Sequence, residues 1–257
     1  MEFVLSTASL YSFPLEEIFR LAREAGFGGV ELMVTNSEES RQADRIADLA
    51  SRYEVAVKSI HAPFLLAARK VWGDHRSKTE RSIVMAEKLG AKVVVVHLPY
   101  YWQPRFAWWM AKNIDGAGSE EVVVAVENAI LLKILRPVNL SYFNNLKGLR
   151  RFPHLVFDTS HFAVAGMDIL RAWQELEDKV CHVHLSNNYM RGYDDHALPF
   201  EGRIPLDRFL RRLKEGGYSG LVTLELSPAS LEARLGEKRL LGNLKRSLAF
   251  CLEHGGS

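Results

Sequence analysis

Residues 92–97 read KVVVVH and residues 121–127 read EVVVAVE. Both are short runs of β-branched and apolar residues that close on a side chain able to bind a proton or a metal. Strands that are apolar on both faces need cover on both, which parallel sheets obtain from helices on one side and, in a closed barrel, from the packed interior on the other. Outward from this pair, six more segments read the same way: 2–6 (EFVLS), 28–33 (GGVELM), 55–60 (VAVKSI), 154–158 (HLVFD), 179–184 (KVCHVH) and 220–225 (GLVTLE). Amphipathic stretches separate them, each a plausible helix, which is the pattern of repeated βα units.

Pro14 starts the first helix and Gly26 ends it, with Leu15, Ile18, Phe19, Ala22 and Ala25 on one face. Helix 75–89 ends at Gly90 and helix 205–216 starts at Pro205, so Gly and Pro punctuate βα boundaries rather than a linker. The expectation is an α/β chain folded as a single (β/α)8 TIM barrel, one domain over residues 1–257, a usual length for that fold. A doubly wound dinucleotide fold would need a G-x-G-x-x-G turn after the first strand, and there is none.

Composition narrows the class. With 47% hydrophobic residues, 25% charged and a formal charge of +2, the chain reads as an ordinary soluble protein with no strong pull toward nucleic acid. Its two cysteines, Cys181 and Cys251, rule out a disulfide framework and thiolate-rich zinc modules. No signal peptide, no membrane partner and a cytoplasmic location are expected, since no basic leader precedes an apolar core and no apolar run approaches the roughly 20 residues that span a bilayer.

In these barrels the site lies at the C-terminal ends of the strands. The third to eighth strands close on His61, His97, Glu127, Asp158, His184 and Glu225; His161 follows three residues after Asp158, and Asp194 and His196 lie in the loop after the seventh strand. Any one of these has a bland reading as a cap or a packed imidazole. Together they converge on one region, where Glu127, Asp158 and Glu225 would repel one another unless a divalent cation neutralised them. Imidazole and carboxylate without thiol suit zinc, manganese, cobalt or iron better than calcium or magnesium. His75 and His254 read as helix-surface residues, and His154 starts its strand at the wrong end of the barrel. His182 shares a strand face with His184 but sits further from the strand end.

The chain resembles the xylose-isomerase-like barrel superfamily, which joins sugar isomerases and epimerases to the endonuclease IV group (AP endonuclease family 2). The resemblance covers almost all of the chain. It rests on VEL at 30–32, HAP at 61–63, VVVVH at 93–97, VEN at 126–128, FDTSHFAVAG at 157–166, HVHLSN at 182–187 and DDHALPFEGRIPL at 194–206. It implies one metal ion, zinc or manganese, on Glu127, Asp158, His184 and Glu225, with up to two further ions on His61, His97 and a bridging Glu127, and on His161, Asp194 and His196. Phe200-Glu201-Gly202 stands where the family loop often reads G-E-G, and Asn187 where an Asp is common, which puts substrate contacts in question.

Two activities follow from the resemblance. An isomerase or epimerase would act on a small sugar, sugar phosphate or keto-acid, with Glu127 and Glu225 passing a proton and His161 steadying a substrate oxygen. An endonuclease IV-like phosphodiesterase would cleave DNA at abasic sites. The acidic 35–40 loop (TNSEES) and the apolar loop after Glu127 favour a small-molecule substrate over DNA. The remaining option is a non-catalytic ligand-binding barrel. Glu31, Trp72, Trp102 and Trp108 could wall the pocket, though helix or loop packing is the commoner role for each, and YYWQPRFAWW at 100–109 reads equally as a segment inserted against bases or as a lid over a small substrate.

Overall fold

The computed structural model describes residues 1–64, 68–133 and 137–256. In chain order the strands are β1 (Glu2–Ser6), β2 (Gly29–Met33), β3 (Ala56–His61), β4 (Val93–His97), β5 (Val123–Glu127), β6 (Leu132–Lys133), β7 (Pro137–Val138), β8 (Leu155–Asp158), β9 (Val180–Leu185) and β10 (Leu221–Leu224). Eight of them pair in parallel and close in the order β1-β10-β9-β8-β5-β4-β3-β2, a TIM barrel; β6 and β7 form a separate antiparallel pair. The helices are α1 (Leu15–Ala25), α2 (Ala43–Tyr53), α3 (His75–Leu89), α4 (Pro104–Asn113), α5 (Leu146–Leu149), α6 (Thr159–Val164), α7 (Ile169–Leu176), α8 (Leu206–Glu215) and α9 (Glu237–Gly255).

Strand alternation explains why the apolar runs are continuous. Val94, Val96, Val124 and Val126 join the large cluster under the helices, whereas Val93, Val95, Ala125 and Val156 form a second cluster inside the barrel. The α3 boundaries follow from local chemistry. Asp74 accepts a hydrogen bond from the Ser77 backbone N–H at 2.9 Å, and Gly90 supplies the left-handed residue (φ 72°) that ends the helix.

One βα unit departs from the expected pattern. Among its described residues the connection after β5 carries the β6–β7 pair and the four-residue α5, where a full helix was expected. Ala129 and Asn144 are instead tied by a side-chain amide: Asn144 donates to the Ala129 carbonyl at 2.8 Å and accepts from the Ala129 N–H at 3.0 Å. Asn and Asp side chains offer the backbone such alternatives to a helical ladder.

Candidate functional site

The nine residues singled out from the sequence all reach the C-terminal mouth of the barrel, and strand register explains much of this. His97 lies opposite Glu127 across β4 and β5, and Asp158 opposite His184 across β8 and β9. Glu225 follows β10 directly, its N–H donating to the Leu185 carbonyl at 3.3 Å. Asp158 has two tasks: Oδ1 accepts the His161 N–H at 2.7 Å and caps α6, while Oδ2 is buried without a hydrogen-bond partner. Capping α6 also fixes His161 three residues on.

The side chains fall into three groups, two of which share Glu127 and His184. Glu127, Asp158, His184 and Glu225 bring ligand atoms within 4.8 Å of one another, as do His61, Glu127 and His184, and likewise His161, Asp194 and His196. In the first group His184 Nδ1 is 2.9 Å from both Glu127 Oε1 and Glu225 Oε2, and 3.8 Å from Asp158 Oδ2. His97 Nε2 is 2.9 Å from Glu127 Oε2 and 3.3 Å from His61 Nε2. Asp194 Oδ2 lies 2.8 Å from His196 Nε2 and 3.2 Å from His161 Nε2.

Three of these imidazoles are oriented by backbone carbonyls. The Nδ1–H of His61 donates to the Ala62 carbonyl at 3.1 Å, that of His161 to Asn128 at 2.8 Å and that of His196 to Glu225 at 2.9 Å. Each carbonyl can only accept, so in the neutral imidazole Nε2 presents its lone pair to the centre. Anchoring of this kind on the far nitrogen is what metal-binding histidines require. His196 is also held at φ 42°, an uncommon conformation for a residue other than glycine.

His184 is the reverse case, with Nδ1 facing the carboxylates and Nε2 facing Glu31 at 3.1 Å. Glu31 is fully buried and accepts a hydrogen bond from Ser59 Oγ at 2.8 Å, with His182 Nε2 at 3.5 Å. Burial pushes this carboxyl up, but the facing His184 and His182 outweigh it and hold it near 2. Pocket lining is thus not the role of Glu31, which sits beneath the site and orients its central histidine. The signal in the sequence was a charged residue inside a strand that is otherwise apolar. His182 is fully buried in the same layer, bonded to Thr223 Oγ1 at 2.6 Å, and burial lowers it to about 4.

Against their burial, the facing histidines hold Glu127, Asp194 and Glu225 below the usual carboxylate range, and Asp158 alone is pushed up. Burial raises Asp158 to about 6, and neighbouring Glu127 and Asp194 add to the rise against His161. Burial alone would lower His196, but Asp194 beside it pushes it up to about 10. Such a donor set, with Nε2 atoms facing carboxylates and an unpartnered buried Asp158 oxygen, fits one or more divalent cations that would take the place of the imidazole protons.

Above these groups opens a cavity of about 570 Å³. Of the two roles open to the tryptophans, pocket wall is not the one seen: Trp102 and Trp108 are 64% and 66% exposed, and Trp72 packs on the main hydrophobic core. Phe64, Leu98, Tyr100 and Ile130 wall it instead, with Thr35, Asn36 and Ser37 on another side. His75, expected on a helix surface, is half-buried, stacked on Phe106 with 4.5 Å between ring centroids and bonded to Gln103 at 2.5 Å; burial lowers it to about 4.

Residues 19–246 match the family model described as xylose isomerase-like TIM barrel. The chain belongs to this family. An uncharacterized protein of Mycobacterium leprae is 33% identical to this xylose isomerase-like barrel over 92% of each chain. Fructoselysine 3-epimerase of Shigella flexneri is 23% identical, covering 83% of this chain and 85% of its own. The crystal structure of AP endonuclease, family 2, from Brucella melitensis superposes with a TM-score of 0.73 at 19% identity, over 96% of this chain and 98% of that one.

Within this xylose isomerase-like barrel, the departure at Asn187 has a structural explanation. Its amide donates to the Pro199 and Ile204 carbonyls at 3.0 and 3.1 Å, and its oxygen accepts from the Ile204 N–H at 2.9 Å. An Asp has no hydrogen to give either carbonyl. Asn187 braces the loop that carries Asp194 and His196, and it does not line the cavity.

Proposed function

We propose that this chain, as one domain, is a divalent-metal-dependent isomerase or epimerase of a small sugar-like hydroxy-carbonyl compound. The observation that carries the reading is the placement of Glu127 and Glu225, each 2.9 Å from His184 Nδ1 and separated along the barrel wall by β8 and β9. Two carboxylates that approach one small volume from different sides suit removal of a carbon-bound proton from one face and its return on the other. Glu127, Asp158, His184 and Glu225 would hold the ion, zinc or manganese, which supplies Lewis-acid polarisation of adjacent substrate oxygens when bound.

The remaining steps belong to protein side chains. Glu127 and Glu225 exchange the proton, and His161, anchored through its Nδ1–H, directs Nε2 toward a substrate oxygen. The walls exclude water. The fructoselysine 3-epimerase relative supports this chemistry, because epimerisation at carbon beside a carbonyl is proton transfer of this type.

A phosphodiesterase acting at abasic sites draws support from the two further clusters, which would complete a three-ion centre, and from the AP endonuclease neighbour. Against it, no Lys or Arg is among the described residues that line the cavity, whereas phosphate backbones are gripped mainly by such side chains. Metal analysis should give about one tightly held ion per chain. Solvent deuterium should enter a hydroxy-carbonyl substrate at carbon, and this should stop with chelator. Three tightly bound ions together with chelator-sensitive nicking of an abasic duplex would overturn the proposal.

A further inference from the structure

The cavity wall is divided by chemistry, and the barrel order sets the two kinds of wall against each other. Phe64, Leu98, Tyr100 and Ile130 rise from the loops after β3, β4 and β5, while Asp194, His196 and Glu225 come from β9 and β10. In the closed order, β3 faces β9 and β4 faces β10 across the mouth. The β9 and β10 side therefore offers carboxylate and imidazole, whereas the loops after β3, β4 and β5 add hydrocarbon and aromatic faces beside His61, His97 and Glu127. Phe64 is itself fixed, its ring stacked on His97 at a centroid distance of 3.5 Å and an interplanar angle of 12°.

Size points the same way. Even at the roughly 30 Å³ that a water takes in the liquid, the twelve or so heavy atoms of a hexose take at most about 360 Å³. The cavity holds about 570 Å³, so a free hexose seated at the carboxylates leaves the apolar side unfilled. Charge restricts what can fill it. With no Lys or Arg among the described lining residues, and Glu127, Asp194 and Glu225 present, a phosphate group lying away from the ion and the histidines would meet no counter-charge from the described walls.

We infer that the substrate is an uncharged hydroxy-carbonyl compound bearing an apolar, aromatic substituent, and that it is not a sugar phosphate. The inference rests on the isomerase reading and narrows its substrate class. The polar end reaches the Glu127 and Glu225 carboxylates, and the substituent lies along Phe64, Tyr100 and Ile130.

Three achiral α-hydroxy-ketones test this without knowledge of stereochemistry: hydroxyacetone, 2-hydroxyacetophenone and dihydroxyacetone phosphate. Each is titrated into the zinc-loaded protein and followed by NMR, with solvent deuterium entry at the carbinol carbon read in parallel against zinc alone. 2-Hydroxyacetophenone should bind at least about tenfold more tightly than hydroxyacetone, because its ring leaves water for the apolar side. Dihydroxyacetone phosphate should bind no more tightly than hydroxyacetone. Ile130→Asn and Tyr100→Ser should each cut the ratio of 2-hydroxyacetophenone to hydroxyacetone affinity at least about threefold.

Tighter binding of the phosphate, affinities within twofold of one another, no binding of the aromatic ketone, or an aromatic preference indifferent to both substitutions would overturn the inference. Deuterium separates it from the reading beneath. Aromatic preference without exchange at carbon removes the isomerase chemistry and leaves the substrate class standing, while equal exchange in all three ketones does the reverse.

Discussion

Two parts of the barrel interior are equally buried and chemically opposite. Val93, Val95, Ala125 and Val156, from β4, β5 and β8, fill one part with hydrocarbon. Glu31, Ser59, His182, His184 and Thr223, from β2, β3, β9 and β10, fill the other with polar atoms, all of them fully buried. Since β1 and β10 lie between β2 and β9 in the wall, the contact of Glu31 with His182 and His184 runs across the interior. The apolar part stabilises the fold by removing surface from water. The polar part is poor in that respect, because desolvated charge is costly, and its value lies in holding His184 in one orientation.

Substitutions in the two parts should accordingly move different quantities. The largest effect is expected just above the polar part: Glu127→Gln should slow solvent deuterium entry into substrate on the order of 10²–10⁴-fold, measured by NMR. Unchanged exchange would remove Glu127 from the chemistry. Next, Glu31→Leu should weaken zinc binding about 10–100-fold in a chelator competition, while Glu31→Gln should restore most of it, since its carbonyl oxygen can accept the same Nε2–H. If Leu and Gln behave alike, the orienting hydrogen bond is not what Glu31 contributes.

Val95→Ala, in the apolar part, should lower stability to urea by roughly 1–3 kcal/mol through the cavity it leaves, with zinc affinity within about twofold of the parent. A large loss of zinc affinity there would merge the two parts into one. The smallest effect uses an imidazole outside both. His75 is held down to about 4 by burial, so the folded chain resists a proton that the unfolded chain accepts near 6.5. Its contribution is complete above pH 6.5 and is lost as pH falls through about 4. His75→Asn should flatten that acid decline by less than about 1 kcal/mol, discounted for partial exposure, as seen in urea midpoints at pH 7 and pH 5.

Much of this architecture could be read from residues 1–257 alone, and the reason is local. Strands such as 92–97 declare themselves because both faces are buried, and the polar residue that closes each one marks the end where the site lies. α1, α3 and α8 announce their ends through Pro14, Gly26, Gly90 and Pro205. What escaped depends on distance along the chain or on direction in space. Glu31 meets His184 at a separation of 153 residues, and the register shift between β2 and β3 at Val30/Glu31 that accompanies this placement leaves no mark in the sequence. The tryptophans of 100–109 identify an aromatic segment but not which way it faces, and Trp102 and Trp108 turn outward. The segment after Glu127 misled because its side-chain amides replace a helix, a choice set by Asn144 and its partners rather than by any apolar period.

The Ser9 side chain accepts a hydrogen bond from the Leu226 N–H at 2.8 Å, joining residues 217 apart where the first and last strands meet. On a ribosome the segments bearing His61, His97 and Glu127 emerge long before the one bearing Glu225, and N-terminal parts of a chain begin to fold first. The pocket is therefore a late product of synthesis, complete only when the last strand seals the ring against the first. Any ion held by the full set of ligands must be acquired once the ring is closed, from whatever the cell then offers. Selectivity among competing ions has to come from the completed geometry, not from the order in which the ligands were made.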